Sequence, residues 1–490
     1  MTDPATVPHV RVAIVGAGFA GIGTAIRLKQ DGVRDFVVLE RADDVGGTWR
    51  DNTYPGCACD VPSHLYSFSF APNPEWGRTY SPQPEIWDYL RRCAKDRGVM
   101  EHVRLGHELL RADWDEQRGL WSIETGAGRL TANVLVSGVG ALSEPKVPSI
   151  PGLDRFRGTM FHSARWDHTH DLSGERVAVV GTGASAIQLV PQVQPRVARL
   201  RLFQRTPAWV LPHTSRPLTA FEHRVYRQFP ALQRLSRAAI YWARETMVLG
   251  FTVDPRLMKL VERLARRHLR EQVSDPELRA KLTPDYRLGC KRILPSNDYY
   301  PALTKPNVAV VTEGIREVRP HAVVTRDGVE HPVDTIIFGT GFHVTDMPVA
   351  QRIRGSGGLL LEDAWRDAGQ QAYKGTTIAG FPNLFMLVGP NTGLGHSSMV
   401  LIIESQLRYV MGCLRYMDEH GVRVVDVRPE AQAGFNVRLR RRMRRTVWVV
   451  GGCVSWYLDI KGRNTTLWPA STWRFRRLTR RFDPARYVTE

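Results

Sequence analysis

At 490 residues the chain exceeds the roughly 250–300 residues at which a single core stops growing, so two or three domains are expected, and its 43% apolar and 24% charged residues exclude bulk disorder. Six scattered cysteines are too few for a disulfide scaffold and point to a reducing cytoplasm, and no apolar run approaches the roughly 20 residues of an integral membrane span. A formal charge of +18 admits nucleic acid, a membrane surface or anionic cofactors, but the arginines run along predicted helices without the interleaved aromatics of a single-strand binder, so nucleic acid is set aside.

Val10-Arg11-Val12-Ala13-Ile14-Val15 reads as a buried parallel strand that runs into Gly16-x-Gly18-x-x-Gly21 and then a helical pattern to about Gln30. The first glycine makes the turn, the second lets backbone approach a pyrophosphate, and the third allows close helix–strand packing. The helix start offers free N–H groups to the phosphates. A second strand, Phe36-Val37-Val38-Leu39, ends in Glu40, an acid that can accept ribose hydroxyls and repels a 2′-phosphate. The residues up to about 26 lack a basic leader and carry this fingerprint, so they are not read as a signal peptide.

Gly46-Gly47-Thr48-Trp49 and the stretch from Tyr54 to Tyr66 read as a loop lining a cofactor, punctuated by glycine and proline and filled by aromatics. Cys57, Cys59, Asp60 and His64 lie within it, but their spacing fits no zinc pattern and no metal site is expected. A helix from about Pro84 to Gly98 follows, with strands around 103–109, 120–123 and 130–136, and a proline-rich connector closes the block.

A second fingerprint follows the strand Arg176–Val180: Gly181-x-Gly183-x-Ser185-Ala186, then a helix to about Val193. The next strand ends in Gln204-Arg205-Thr206, with arginine where the first unit has Glu40. Arginine suits a 2′-phosphate through bidentate, charge-assisted contacts, so the downstream site is read as the NADPH site. Residues 218–282 read as basic helices whose Leu257, Leu260, Val261, Leu264 and Leu269 form one apolar face. A solvated charge face over a packed apolar one is the expected arrangement, and contact with a membrane surface is left open. Lys291 and Arg292 stand in a turn-rich basic stretch. Strands at 308–311 and 335–338 precede Gly339-Thr340-Gly341, and 384–388 begins a return to the first domain. Phe435, Leu439, Met443 and Val447 mark a late amphipathic helix.

These elements give an α/β chain of two Rossmann-like dinucleotide-binding domains with an inserted helical subdomain. The expected division is 1–150 and 378–490 for the first domain, 151–212 and 286–377 for the second, and 213–285 for the helices.

Between the fingerprints lies Phe156-x-Gly158-x-x-x-His162-x-x-x-Trp166-Asp167, which resembles the signature of type I Baeyer–Villiger monooxygenases, class B flavoproteins related to the flavin-containing monooxygenases. The resemblance covers nearly the whole chain. It implies one FAD at the upstream site (Gly16, Gly18, Gly21, Glu40, Gly47, Thr48, Trp49, Tyr66), NADPH as reductant and O2 as oxygen source. It further implies a flavin C4a-peroxide that attacks a ketone carbonyl to give an ester or lactone. Arg292 is similar to the family's active-site arginine and Asp60 to the carboxylate that positions it. Lys291, Arg205 and Thr206 are similar to the 2′-phosphate site, and Trp456 to a tryptophan of the C-terminal region that touches NADP. His162, in a linker, is assigned a hinge role ahead of direct catalysis.

Nitrogen or sulfur oxygenation on the same fold is the nearest alternative. A disulfide reductase would want a paired redox cysteine motif, and Cys57-x-Cys59 has the wrong spacing. A protein that only binds nucleotides would leave Arg292 and Asp60 idle.

Overall fold

The computed structural model describes residues 7–490. Strand β1 (His9–Val15) has Val12, Ala13 and Ile14 fully buried, as an apolar run inside a parallel sheet must be. Helix α1 (Phe19–Gln30) leads to β2 (Phe36–Leu39), which pairs in parallel with β1 from Val12↔Phe36 to Val15↔Leu39. After the short helix α2 (Thr48–Asp51) and helix α3 (Gln83–Asp96) come β3 (Val103–Arg104), β4 (Leu109–Asp115), β5 (Leu120–Thr125) and β6 (Gly128–Ser137). Strand β3 pairs with β2 and β6 with β1, both in parallel, and β4, β5 and β6 form an antiparallel meander. The single strand expected across 103–109 is therefore two, separated by a turn through Gly106.

The joining segment is not a linker. Thr159–His162 is strand β7, and it is followed by β8 (Arg176–Val180), helix α4 (Ala184–Val193) and β9 (Arg199–Phe203). These strands build a second, all-parallel five-stranded sheet in the order Val308–Val311, β9, β8, Thr335–Phe338, β7. His162 sits opposite Phe338 at the end of that edge strand. Pairing with a strand some 170 residues downstream is invisible to local sequence pattern, which is why the prolines ahead of it suggested a connector.

The chain returns to the first sheet earlier than residue 378. Ile353–Arg354 pairs with β4, and Met347, Val349 and Trp365 are buried with Leu109 and Ile123 of that sheet. Leu384–Met386 then pairs with β6, and the long helix Met399–His420 packs against α1.

The helical insertion comprises α5 (Ala220–Gln228), opened by a Thr219–Glu222 capping box, α6 (Pro230–Glu245), a π turn at Leu249–Val253, and α7 (Lys259–Gln272). Its expected apolar face is only partly packed. Leu269 is buried and Val261 half-buried, but Leu257, Leu260 and Leu264 stand in solvent, because Leu257 lies on the 3-10 turn ahead of α7 and, at about 100° per residue, Leu260 and Leu264 face away from Leu269. Near the end, Pro429–Met443 buries Phe435, Leu439 and Met443, while Val447 is buried from the separate short helix Val447–Val450.

The cysteines build no disulfide scaffold among the described residues, but two of them do cross-link. Cys290 and Cys453 form a disulfide across 163 residues, while Cys57, Cys59, Cys93 and Cys413 are free and buried. The bond fastens the C-terminal segment to the stretch that carries Lys291 and Arg292. Cys453→Ser should raise amide hydrogen exchange across residues 449–463 by about tenfold or more while β1 and β8 keep their protection. Unchanged exchange in that segment would mean that packing alone holds it.

Candidate active site

Strand β1 delivers the first glycine loop. A Cβ on Gly16 (φ 95°) would lie 2.9 Å from the Gly138 carbonyl oxygen, and one on Gly21 would lie 1.8 Å from that of Gly16, so both positions exclude any side chain. Gly18 opens α1 without a side-chain cap, leaving first-turn N–H groups for an anion. Gly47 folds back over it, with its Cβ position 3.0 Å from the Gly18 Cα, and the Gly46 N–H donates to the Ala17 carbonyl at 2.9 Å. At the adjacent strand end, Glu40 accepts from the Ala17 N–H at 2.8 Å and the Ala42 N–H at 3.0 Å, and Arg50 pairs with it at 3.0 Å. Those contacts fix the carboxylate yet leave acceptor capacity on its oxygens. Beyond it, Thr48 donates to the Leu142 carbonyl at 3.4 Å, and the Trp49 indole N–H donates to the Tyr66 hydroxyl at 3.1 Å. A cradle of bare backbone with an acid at the next strand end fits the adenosine diphosphate portion of FAD.

The second cradle differs in charge. Gly181 touches the Gly339 backbone (a Cβ would lie 2.4 Å from its oxygen), and Gly183, the cap of α4, presents its missing Cβ to open space with the half-buried Ser185 two residues on. Arg205 follows β9 and is exposed, and the Thr182 hydroxyl holds the loop by donating to the Thr206 carbonyl at 2.7 Å. The Lys291 ammonium lies 5.0 Å over the Tyr286 ring. Burial, and then the charge of Arg205, hold Lys291 below its ordinary pKa. Among the described residues neither cation has a carboxylate in ion-pair range, so the pair presents unbalanced positive charge that a phosphate dianion would neutralise. This fits NADPH.

The two halves meet at one ion pair. Arg292 grips Asp60 through both carboxylate oxygens, Nε to Oδ2 at 2.5 Å and Nη2 to Oδ1 at 2.6 Å. Burial pushes the Asp60 carboxyl up, but the charge and hydrogen bonds of Arg292 outweigh it and hold Asp60 below its ordinary value. Burial likewise opposes the Arg292 charge, and Asp60 reverses that, so the guanidinium stays charged. Sequence reasoning missed two supports. Arg244 of α6 donates to the Asp60 carbonyl at 3.2 Å, and Tyr457, fully buried, lies against Arg292, its phenol pushed up to about 12 first by burial. Neither has a local signal, since one is an arginine among many and the other a tyrosine in an irregular tail. Trp456, the residue singled out beforehand, is 44% exposed and reaches the pair only through Tyr457, ring to ring at 4.4 Å.

A second joint lies beside it. Gln188 of α4 donates to the Ala58 carbonyl at 2.9 Å and accepts from the Tyr54 hydroxyl at 2.9 Å. Cys57 is pushed up to about 12 by burial and Cys59 higher still, so both are protonated thiols and not a redox pair.

His162 is buried, its Nδ1 accepting from the Ala164 N–H at 3.1 Å and its ring 5.7 Å from that of Phe342. None of these neighbours belongs to the Asp60–Arg292 pair. The joining segment nonetheless touches the first domain, where His168 hydrogen-bonds Thr53 at 2.7 Å, and Arg165 and Trp166 line a cleft of about 350 Å³ with Arg41, Arg50 and Asp51.

Residues 9–351 match the flavin-binding monooxygenase-like (FMO-like) family. A Baeyer–Villiger monooxygenase of Streptomyces coelicolor is 57% identical over 480 residues, covering 98% of this chain and 92% of that protein. One of Pseudomonas aeruginosa is 53% identical over 486 residues, covering 99% and 92%. Among solved structures, a closed cyclohexanone monooxygenase superposes with a TM-score of 0.88 at 28% identity over 99% of this chain and all of that one. An oxidised steroid monooxygenase bound to NADP gives 0.85 at 30% identity over 96% and 97%.

Burial pushes both His162 and His64 down to about 4 from an ordinary 6.5, so each is neutral in the folded protein at neutral pH. A depressed pKa means that the unfolded chain takes up the proton first. Their contribution to stability is complete above 6.5 and is lost as the pH falls from there towards 4. The expected slope is about 1.4 kcal/mol per pH unit for each residue. Denaturant unfolding across that window should show a shallower slope in His64→Gln and in His162→Gln than in the parent, and an equal slope in all three would refute the assignment.

Proposed function

The chain belongs to the flavin-binding monooxygenase-like family, and on that premise we propose that it carries out FAD- and NADPH-dependent Baeyer–Villiger oxygen insertion, converting a ketone to an ester or lactone. The observation that carries the site assignment is the bidentate Asp60–Arg292 pair, held between the two nucleotide cradles. A bound flavin, reduced by NADPH, supplies the activation of O2.

The chain's own residues do the rest. Gly16, Gly18, Gly21 and Gly47 admit a pyrophosphate to bare backbone, and Glu40 orients a ribose with free hydroxyls. Gly181, Gly183 and Ser185 receive the second nucleotide, while Arg205, Thr206 and Lys291 read its 2′-phosphate. Thr48, Trp49 and Tyr66 wall the first cradle. Arg292 supplies a permanent positive charge where oxygen transfer builds negative charge, and Asp60, Arg244 and Tyr457 fix its position before the reaction begins. Arginine suits the task because no working pH removes its proton. Trp456, on the C-terminal segment, backs Tyr457 and is the residue assigned to touch NADP, and His162 acts through the position of its strand, not by touching the reacting atoms. A small-molecule ketone and O2 are the substrates. The demand for NADPH places the enzyme in the cytoplasm, where the Cys290–Cys453 bond is open to reduction.

The test is coupling. Arg292→Ala should lower the ester formed per NADPH consumed by about a hundred- to a thousand-fold, with hydrogen peroxide released instead, while FAD binding and reduction by NADPH persist. Asp60→Ala should move the same ratio in the same direction. Mass analysis of products from a panel of ketones and thioethers measures it; normal coupling in both variants would overturn the catalytic assignment, and oxidation of thioethers alone would favour heteroatom oxygenation. The second cradle adds its own expectation. Arg205→Ala should raise KM for NADPH by about tenfold or more and leave that for NADH nearly unchanged, and a uniform rise with both cofactors would remove Arg205 from the phosphate site.

A further inference from the structure

Apart from Arg234, helix α6 turns its charged and amide side chains inward. Gln233 donates to the Asn73 carbonyl at 2.6 Å, Arg237 to the His64 carbonyl at 2.6 Å, and Arg244 to the Asp60 carbonyl at 3.2 Å. Its outer face is apolar. Leu235 and Trp242 recur at heptad spacing on one stripe that Leu249 of the π turn continues. Leu257, Leu260 and Leu264 form a second stripe along the 3-10 turn Pro255–Met258 and α7, and the two stripes adjoin because the π turn packs on that 3-10 turn. All six side chains are between 49% and 73% exposed. An apolar display of this size is a contact surface.

Charge decides what it contacts. Residues 218–282 hold thirteen Lys and Arg against seven Asp and Glu. Every fully exposed charged side chain from Arg224 to Arg267 is basic, whereas Glu245 is buried and Asp254 and Glu262 are half-buried. Arg234, Arg256, Lys259 and Arg263 stand among the exposed leucines, and among the described residues none has an acidic partner. Arg266, Arg270 and Arg279 line an adjoining open cleft of about 280 Å³. A second copy of the chain docked here would set cations against cations. A nucleic acid would satisfy the arginines and strand the leucines and tryptophan in water. An anionic bilayer offers hydrocarbon for one set and phosphate for the other, and long arginine and lysine stems reach the headgroups while their carbons stay in the apolar layer.

We propose that the outer face of α6, the π turn and α7 docks the enzyme peripherally on an anionic lipid bilayer, with Leu235, Trp242, Leu260 and Leu264 entering the acyl boundary and the flanking basic side chains on the headgroups. The contact is with the bilayer surface, since no helix among the described residues is long and apolar enough to cross it.

The test uses the full-length FAD-loaded protein. It should sediment with phosphatidylcholine vesicles containing roughly 30% phosphatidylglycerol at low salt, remain in the supernatant with phosphatidylcholine alone, and partly detach as salt shortens the screening length to about 3 Å. Leu235→Glu/Trp242→Glu and Leu260→Glu/Leu264→Glu should each lower the partition coefficient by about tenfold or more while NADPH oxidation in lipid-free solution stays unchanged, which shows that they fold. A wild-type protein that ignores anionic vesicles overturns the proposal, as do variants that bind them equally well. A concentration-dependent dimer in sedimentation velocity that the same variants dissolve would assign the face to a second copy and overturn it as well.

Discussion

The chemistry proposed for this molecule hangs on one charge pair brought together from distant parts of the sequence. Asp60 lies on a loop of the first nucleotide domain, Arg292 on a turn that follows the helical insertion, and 232 residues separate them. Two short hydrogen bonds in a partly dehydrated setting make each residue's ionised state depend on the other. Removing either partner leaves an uncompensated charge, so the pair is a constraint on how the two sheets can sit. It also sets a cation, permanently ionised, at the seam between two nucleotide cradles of opposite character, one ending in Glu40 and the other in Arg205 and Lys291.

The surrounding structure serves to keep that cation in place. The α6 helix reaches across to hold the backbone of Asp60 with Arg244, Gln188 of α4 holds the neighbouring loop at Ala58 and Tyr54, and the C-terminal segment brings Tyr457 against the guanidinium. Two separate regions thus converge on the loop of Asp60 and a third on the guanidinium it holds. Such convergence is how a flexible side chain becomes a preorganised one: its alternatives have been occupied by neighbours.

What the sequence revealed and what it hid divide along the line between local and long-range interactions. The glycine loops, the acid after β2 and the arginine after β9 were legible because turn, helix start and strand end all lie within some thirty residues, and each residue type there answers a local steric or charge demand. The role of Thr159–His162 as a sheet strand was not, because its partner strand begins at Thr335. The early return of the chain through Ile353–Arg354, the Cys290–Cys453 bond and the support from Tyr457 were hidden for the same reason. The leucines of the helical insertion illustrate a different limit. Their spacing was read as one helical face, yet Leu257 stands on a separate turn and Leu269 points inward where Leu260 and Leu264 point outward, and amphipathicity is silent on whether an apolar side meets protein, solvent or lipid.

The disulfide between Cys290 and Cys453 changes the topology of the polypeptide itself. A linear chain becomes a closed ring with two tails, one bearing the first glycine loop and the second fingerprint, the other bearing Tyr457 and the final helix. Arg292 lies just inside the ring and Tyr457 just outside it, on either side of the same covalent knot. A peptide cut anywhere in the ring leaves both tails joined through the sulfur bridge, and only reduction of the bridge can part them. For as long as the bridge is oxidised, no single break in the backbone between them lets the stretch that carries Arg292 and the tail that packs against it diffuse apart.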